Sequence, residues 1–283
     1  MSTTTIRGAG IVTLVLAALL GSAFALGRGL MAEMGATPSG ATANANNTHY
    51  ADQPPATDLS PTPSDSPSPS TSPSPRDGEP ASDGPYGSIT STGSSRVALT
   101  FDDGPDPQYT PQVLALLKHY RVKATFCVVG ENAASHPGLI QAIVSEGHTL
   151  CNHSWDHDEN MGQRSRDAIR NDLLRTNEAI RAAAPKARIV YYRQPGGNWT
   201  APIVSIAEDM GMTSLHWAVD PADWQMPGAK QIYTTVLTET QPGAIVLMHD
   251  AGGDRAGTVE ALQHLLPELL SQFQLEALPT GTT

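Results

Sequence analysis

From residue 96 onward, short apolar runs alternate with longer segments whose apolar positions recur every three or four residues. The runs have the length of buried strands, and the longer segments have the period of amphipathic helices. Strands are predicted at 97–101, 122–129, 148–151, 189–192, 214–219 and 244–248, and helices at 111–120, 139–145, 165–184, 202–210 and 259–272. This alternation predicts an α/β fold in which helices cover a parallel sheet. Six or seven strand–helix units favour a small or irregular barrel over an eightfold one.

An uncharged apolar run lies close to the N-terminus. Residues 8–27 contain no charged side chain, and Arg7 and Arg28 flank them. At about 1.5 Å per residue this run just crosses a bilayer core of about 30 Å, which favours an uncleaved membrane anchor. A cleavable signal peptide is the alternative, with Ala23 and Ala25 at the cleavage site. Either interpretation of residues 1–34 predicts that the rest of the chain is secreted or held at the outer face of the cytoplasmic membrane.

Residues 35–88 are predicted to form a disordered linker rich in Pro, Ser and Thr. Nine of the 23 prolines lie between residues 51 and 80, and the segment has almost no apolar residue to bury. A chain of this composition favours extended polyproline II, which is a semi-rigid spacer. We expect it to hold the following domain away from the membrane.

The remainder is predicted to be one acidic domain over residues 89–276, followed by a tail at 277–283. From Tyr86 onward, 21 Asp and Glu outnumber 14 Lys and Arg, and the whole chain carries a net charge of −11. Nucleic-acid binding requires a basic surface, so this balance excludes a nucleic-acid partner and favours neutral substrates. We expect the domain to be a monomer.

Ionisable residues directly follow five of the predicted strands. They are Asp102 and Asp103, His153, Arg193, Asp220 and Asp223, and His249. One such residue is commonly a helix cap or a solvated loop charge, but five strand ends are hard to explain in that way. Because the carboxyl ends of parallel strands collect catalytic groups, these residues predict an active site.

His153 and His157 are four residues apart, so on a helical turn both imidazoles would share a face and could bind one ion. Position 154 is Ser, so the Glu of the zincin motif is missing. Two His and one carboxylate would leave an open coordination position, which is typical of hydrolytic zinc sites. The adjacent Asp102 and Asp103 could then take different roles, one toward the metal and one toward water.

Five short motifs in this chain resemble those of the NodB-like polysaccharide deacetylases, the family 4 carbohydrate esterases. They are TFDDGP at 100–105, HSWDH at 153–157, RQPGG at 193–197, DPADW at 220–224 and LMH at 247–249. The order is the same, and the resemblance covers about residues 95–272. It implies an irregular (β/α) barrel of about seven parallel strands and metal-assisted hydrolysis of an acetamide.

The resemblance also implies roles for the residues around a metal. Asp103, His153 and His157 would bind a divalent metal, usually Zn²⁺. Asp102 would be the general base that takes a proton from water, and Arg193 would orient its carboxylate.

The resemblance also implies that His249 is the general acid that protonates the leaving amine. A carboxylate of the fourth motif would support it, and we expect Asp223 in preference to Asp220. The backbone N–H of Gly196 would face the oxyanion, and Trp224 and Leu247 would wall the acetyl pocket.

Two features depart from this pattern or add to it. The place of Gly196 is often aromatic in the family, so the site is expected to be more open. Trp199 is expected to form a compensating wall, and Trp217 is expected to lie in the core.

Cys127 and Cys151 lie near the ends of neighbouring predicted strands. Outside the cytoplasm they could form a disulfide or remain a buried free pair.

The function predicted from these residues is N-deacetylation of GlcNAc-type polysaccharide. An anchor and a spacer make the peptidoglycan of the cell's own wall the first expectation, and chitin oligomers the second. An O-acetyl xylan esterase would use the same site, and a catalytically silent glycan-binding module is the alternative from another class.

Overall fold

A computed structural model of the chain describes residues 80–281. The predicted anchor or signal peptide and residues 35–79 of the predicted linker lie outside this range. Within residues 80–281, no helix combines the length and the apolarity that crossing a membrane requires.

The fold is an α/β half-barrel built on six parallel strands in the order β5-β4-β3-β2-β1-β6. The strands are β1 Ala98–Asp102, β2 Thr125–Val128, β3 Thr149–Asn152, β4 Tyr191–Tyr192, β5 Thr213–Ser214 and β6 Ile245–His249. The helices are α1 Thr110–Tyr120, α2 Gly130–Ser135, α3 Pro137–Ser145, α4 Arg166–Ala183, α5 Ala201–Asp209, α6 Ala229–Glu239 and α7 Ala256–Gln272. This architecture confirms the α/β class, with six strands where the sequence predicts about seven.

Apolar side chains fill both sides of the sheet. On the helix-covered side, Phe101 and Phe126 from neighbouring strands stack with ring centroids 5.2 Å apart. Helix α4 turns Ile169, Leu173 and Ile180 toward this core, and all three are fully buried. Such a stripe at helical spacing is what holds an amphipathic helix against a sheet.

The predicted strand at 214–219 is wrong in its extent. The chain leaves the sheet after Ser214, and Val219 makes only an isolated bridge to Val246. Residues 89–92 lie in the resulting gap, where Ile89 bridges Leu215 and Ser91 bridges Ala244. The missing parallel strand is therefore replaced by a short segment from the N-terminal side of the domain.

The predicted tail packs against the sheet. Leu278 is buried, and it joins the inner-face cluster that contains Ala98 and Ile245. Its N–H donates to Thr125 Oγ1 and its carbonyl accepts from Thr149 Oγ1, at the first residues of β2 and β3. The C-terminal segment thus closes the end of the half-barrel opposite to the strand ends that carry the ionisable residues.

Cys127 and Cys151 form a disulfide between β2 and β3. The two residues are directly paired in the parallel ladder, with Cα atoms 4.1 Å apart. Both are completely buried on the inner face of the sheet. The structure thus selects the disulfide from the two alternatives that the sequence leaves open.

Removal of this disulfide is expected to lower the free energy of unfolding by about 3 kcal/mol, since the bond closes a loop of 24-residue separation in the unfolded chain. The test is chemical denaturation of the Cys127→Ala/Cys151→Ala variant beside the unaltered protein, with and without reductant. Reductant should destabilise only the unaltered protein. Equal stability of all samples would show that the crosslink contributes nothing.

Candidate active site

The ionisable residues meet at one end of the half-barrel because the strands are parallel. Asp102 ends β1 and lies directly opposite His249, which ends β6. On the other side, Asn152 of β3 pairs with Tyr192 of β4, so the residues that follow them, His153 and Arg193, are neighbours. The predicted convergence at the carboxyl ends of the strands is therefore seen in the structure.

Asp103, His153 and His157 form a compact group of metal-ligand type. Their nearest ligand atoms all lie within 4.8 Å of one another. Asp103 Oδ1 is 3.4 Å from His153 Nε2 and 3.2 Å from His157 Nε2. One carboxylate and two imidazoles are a donor set that suits zinc and other divalent transition metals.

The orientation of these groups fits a metal. His153 Nδ1 lies 2.8 Å from the carbonyl oxygen of Arg193. A carbonyl can only accept, so Nδ1 carries a hydrogen, and Nε2 is the ring nitrogen that remains on the Asp103 side to bind a metal. Burial opposes ionisation of Asp103, but its interactions with His153 and His157 outweigh burial and hold its pKa well below the usual range. The carboxylate is thus ionised and ready to act as a ligand.

The two histidines lie on a loop and not on the helical turn that their spacing suggests. Ser154 and His157 both adopt left-handed backbone conformations, with φ of 65° and 58°. Trp155 supports the loop from outside the site. Its backbone N–H donates to Asp172 Oδ1, and its ring centroid lies 3.4 Å from Arg175 Cζ. Trp155 is therefore a packing residue.

Asp102 forms a buried ion pair with Arg193. Arg193 Nη1 lies 2.7 Å from Asp102 Oδ1, and both side chains are almost wholly excluded from solvent. Thr100 Oγ1 and the carbonyls of Leu215 and His216 accept the other hydrogen bonds of the guanidinium. Because Oδ1 is occupied, the second oxygen of Asp102 is the one that faces His153, at 3.7 Å.

His249 is paired with Asp223. Its Nδ1 lies 2.6 Å from Asp223 Oδ1, whereas Asp220 accepts from the backbone N–H of Ala222. Burial lowers the pKa of His249, but the contact with Asp223 and the charges of Asp223, Asp103 and Asp102 raise it to about 9. The imidazole is therefore protonated at neutral pH.

A family model described as polysaccharide deacetylase matches residues 90–215. A chitooligosaccharide deacetylase of Sinorhizobium fredii is 39% identical over 201 residues, which is 67% of this chain and 93% of that protein. The chain belongs to the polysaccharide deacetylase family. A peptidoglycan-N-acetylglucosamine deacetylase of Bacillus cereus is 38% identical over 178 residues, 62% of this chain and 82% of the relative.

A solved structure of the same family adds a different kind of relative. It is a pseudoenzyme of carbohydrate esterase family 4 from Bacillus anthracis, with 32% identity and a TM-score of 0.62. The match covers 67% of this chain and 66% of that one. The polysaccharide deacetylase fold is therefore shared by proteins with and without activity. Only the individual site residues can distinguish an active member from an inactive one.

The ionisable groups surround a cavity of about 380 Å³. Gly196, Trp224 and Leu247, the residues predicted to contact the substrate, line it. Trp224 is half exposed at the rim, whereas Leu247 is buried. An apolar wall beside a few converging polar groups is typical of pockets that bind small ligands.

The expected compensation for Gly196 by Trp199 is not seen. Trp199 is buried, and its indole N–H lies 3.1 Å from His216 Nδ1, away from the cavity. Trp217, assigned to the core from the sequence, lines the cavity instead. A methyl group on Gly197 would lie 2.8 Å from the Trp217 ring, so the absence of a side chain there lets the indole approach.

Glu159 occupies the space beside Gly196. A Cβ atom on Gly196 would lie 3.0 Å from Glu159 Cδ, and the φ of Gly196 is 62°. Gln194 is buried, and its amide lies 3.4 Å from the carbonyls of Asp158 and Glu159, so it helps to place this loop. The sequence motifs do not predict that Glu159 lines the cavity, because this residue belongs to none of the five motifs.

Proposed function

We propose that the protein is a metal-dependent hydrolase that removes N-acetyl groups from GlcNAc-type polysaccharide. The observation that carries this proposal is that two differently paired groups line one cavity. Asp102 is oriented by Arg193 and lies beside the Asp-His-His group, and His249 is paired with Asp223. Hydrolysis of an amide needs a base for water and an acid for the amine, and both are present.

In this proposal Asp103, His153 and His157 hold the ion, and Zn²⁺ is the metal that best suits their donor atoms. A bound divalent cation supplies Lewis acidity that polarises an acyl carbonyl and makes a water molecule easier to deprotonate.

Asp102 takes the proton of the attacking water. Its Oδ1 is held by Arg193, so the carboxylate is fixed and its other oxygen is turned toward the ligand group. The N–H of Gly196 lies in the first turn of a 3-10 segment, where backbone donors have no intrahelical acceptor and can bind an oxyanion.

His249 donates the proton that the amine needs to leave. Asp223 holds Nδ1, so Nε2 is the nitrogen left to protonate the substrate. Trp224 and Leu247 line the cavity beside this group and would enclose the acetyl methyl group.

We propose peptidoglycan as the substrate and chitin oligomers as the second choice. The relatives named above act on chitooligosaccharide or peptidoglycan. The apolar segment at 8–27 and the Pro-rich spacer would hold a monomeric domain outside the cytoplasmic membrane, where the nearest GlcNAc polymer is the cell's own wall. This placement supports peptidoglycan over free oligomers.

The decisive test is acetate release by the purified full-length chain in mild detergent, before chelation, after chelation and after addition of Zn²⁺. Peptidoglycan sacculi, N-acetylated chitin oligomers and acetylated xylan are offered in parallel. We expect acetate from peptidoglycan, at least a roughly 100-fold loss on chelation and recovery with metal. Release from xylan alone would replace the proposal with an O-acetyl esterase.

The pseudoenzyme relative favours one second candidate, a glycan-binding module without activity. Loss of a metal ligand or of the base would produce such a protein, but Asp102, Asp103, His153 and His157 are all in place here. One bound metal per chain with glycan binding and no acetate from any substrate would establish this second candidate.

A further inference from the structure

All three oxygens of Asp223 are bound by neighbouring groups. Oδ1 meets His249 Nδ1 at 2.6 Å, and Oδ2 accepts from the His249 N–H at 2.9 Å and from the Thr258 hydroxyl at 2.7 Å. The main-chain carbonyl accepts from Arg255 Nη1 at 2.8 Å. Two of these contacts come from His249 itself. Apart from His249 at the end of β6, the side chains that bond to Asp223 are those of Thr258 and Arg255, at the beginning of α7.

The segment that carries Asp223 needs such support. Asp223–Gln225 is a single 3-10 turn, and its flanking residues Ala222 and Met226 have left-handed φ of 51° and 56°. A turn this short has few backbone hydrogen bonds to define its position. Asp223, Thr258 and Arg255 are nearly fully buried, so water does not replace a lost contact.

We propose that Thr258 is a positioning residue for the His249–Asp223 pair, and that Arg255 anchors the turn on which Asp223 lies. The inference rests on the proposed role of His249 as proton donor. Neither residue belongs to the five sequence motifs.

The physical argument concerns rotation of the carboxylate. Two donors on Oδ2 and one on Oδ1 define the plane of Asp223, and that plane sets the tilt of the imidazole. Without the Thr258 hydroxyl, Oδ2 keeps one donor, and the carboxylate can turn about its Cβ–Cγ bond. Small misplacements of a reacting group cost up to about 100-fold in rate. We expect about a tenfold loss of kcat for the smaller tilt allowed here.

The test is kinetic analysis of Thr258→Val in the full-length, metal-loaded protein. We expect kcat to fall about tenfold while KM stays unchanged, and Thr258→Ser to restore kcat to within twofold. Thr240→Val is the matched control, because Thr240 is also a buried threonine whose hydroxyl bonds to a carbonyl, that of Val236. It should lose stability and keep kcat. Thr258→Ala replaces the valine variant if that variant does not fold.

A double-mutant cycle with Asp223→Asn separates positioning from a general loss of stability. If Thr258 acts through Asp223, the valine substitution adds no further loss of kcat in the asparagine background. An equal loss in both backgrounds, or a Thr258→Val enzyme within twofold of the unaltered one, overturns the inference.

A spectroscopic readout keeps this result distinct from failure of the proposed function. With 15N-labelled histidine, the Nδ1 proton of His249 should be protected from solvent exchange in the unaltered and Thr258→Ser proteins and exchange rapidly in Thr258→Val. This outcome supports the positioning role even if no substrate releases acetate. Equal protection in all three proteins contradicts it.

Discussion

Replacing Asp102 by asparagine is expected to lower kcat for acetate release by about 1000-fold, within the range that general bases contribute. The amide keeps the shape of the carboxylate, and its oxygen can still accept from Arg193 Nη1. It cannot take a proton from water at neutral pH. The measurement is the initial rate at saturating substrate, together with the bound metal per chain, which should be unchanged.

The asparagine variant needs a stability control, because it leaves the Arg193 charge buried without a counter-ion. Breaking a buried pair by removing one partner costs about 3–5 kcal/mol. The rates should therefore be compared at a temperature where circular dichroism shows both proteins folded. Asp106→Asn is the same substitution in the loop that follows β1, where the Asp106 carboxylate accepts from backbone N–H groups. Its kcat should be unchanged, and a tenfold or smaller effect of Asp102→Asn would remove Asp102 from the role of base.

Much of the site could be predicted from the sequence because its residues lie at strand ends. Asp102, Asp103 and His153 are positioned by β1 and β3, and an apolar run in the sequence predicts each of these strands. Parallel pairing then brings these ends together without any knowledge of loop structure. The choice between Asp220 and Asp223 depends instead on a 3-10 turn with two left-handed residues, for which the sequence has no clear signal.

The features that the sequence missed depend on docking between distant segments. Leu278 lies beyond the last predicted helix in a segment without helical or strand periodicity, and only its contacts with β2 and β3 show that it is part of the core. Helix α6 is absent from the predicted elements because its buried face consists of only Ile232 and Val236. No sequence pattern indicates the role of Thr258 either, because its contact with Asp223 depends on where the first turn of α7 lies.

Replacement of Asp223 by asparagine should lower the rate at pH 8 by about 100-fold and move the alkaline limb of the pH–rate profile. In the unaltered protein His249 is protonated below its pKa of about 9, so activity falls as the pH rises through that value. The substitution would remove the main contribution that raises this pKa, and burial would then hold the pKa near or below the ordinary 6.5. About 3% of the imidazole would remain protonated at pH 8 if the pKa were 6.5. Loss of orientation accounts for the rest of the decrease.

The raised pKa of His249 also predicts how the stability of the folded protein depends on pH. A histidine whose pKa is raised on folding stabilises the folded state most below its unfolded pKa of about 6.5, and this contribution is lost as the pH rises through about 9. Thermal unfolding should therefore show that the unaltered protein loses stability between these pH values, and that the Asp223→Asn variant loses less.

The pH–rate profiles must be recorded at saturating metal, because loss of metal at high pH would also lower the rate and could be mistaken for the alkaline limb. Coincident alkaline limbs in the two proteins would show that Asp223 does not set the protonation of His249, and the assignment of His249 as the acid would then have no electrostatic basis.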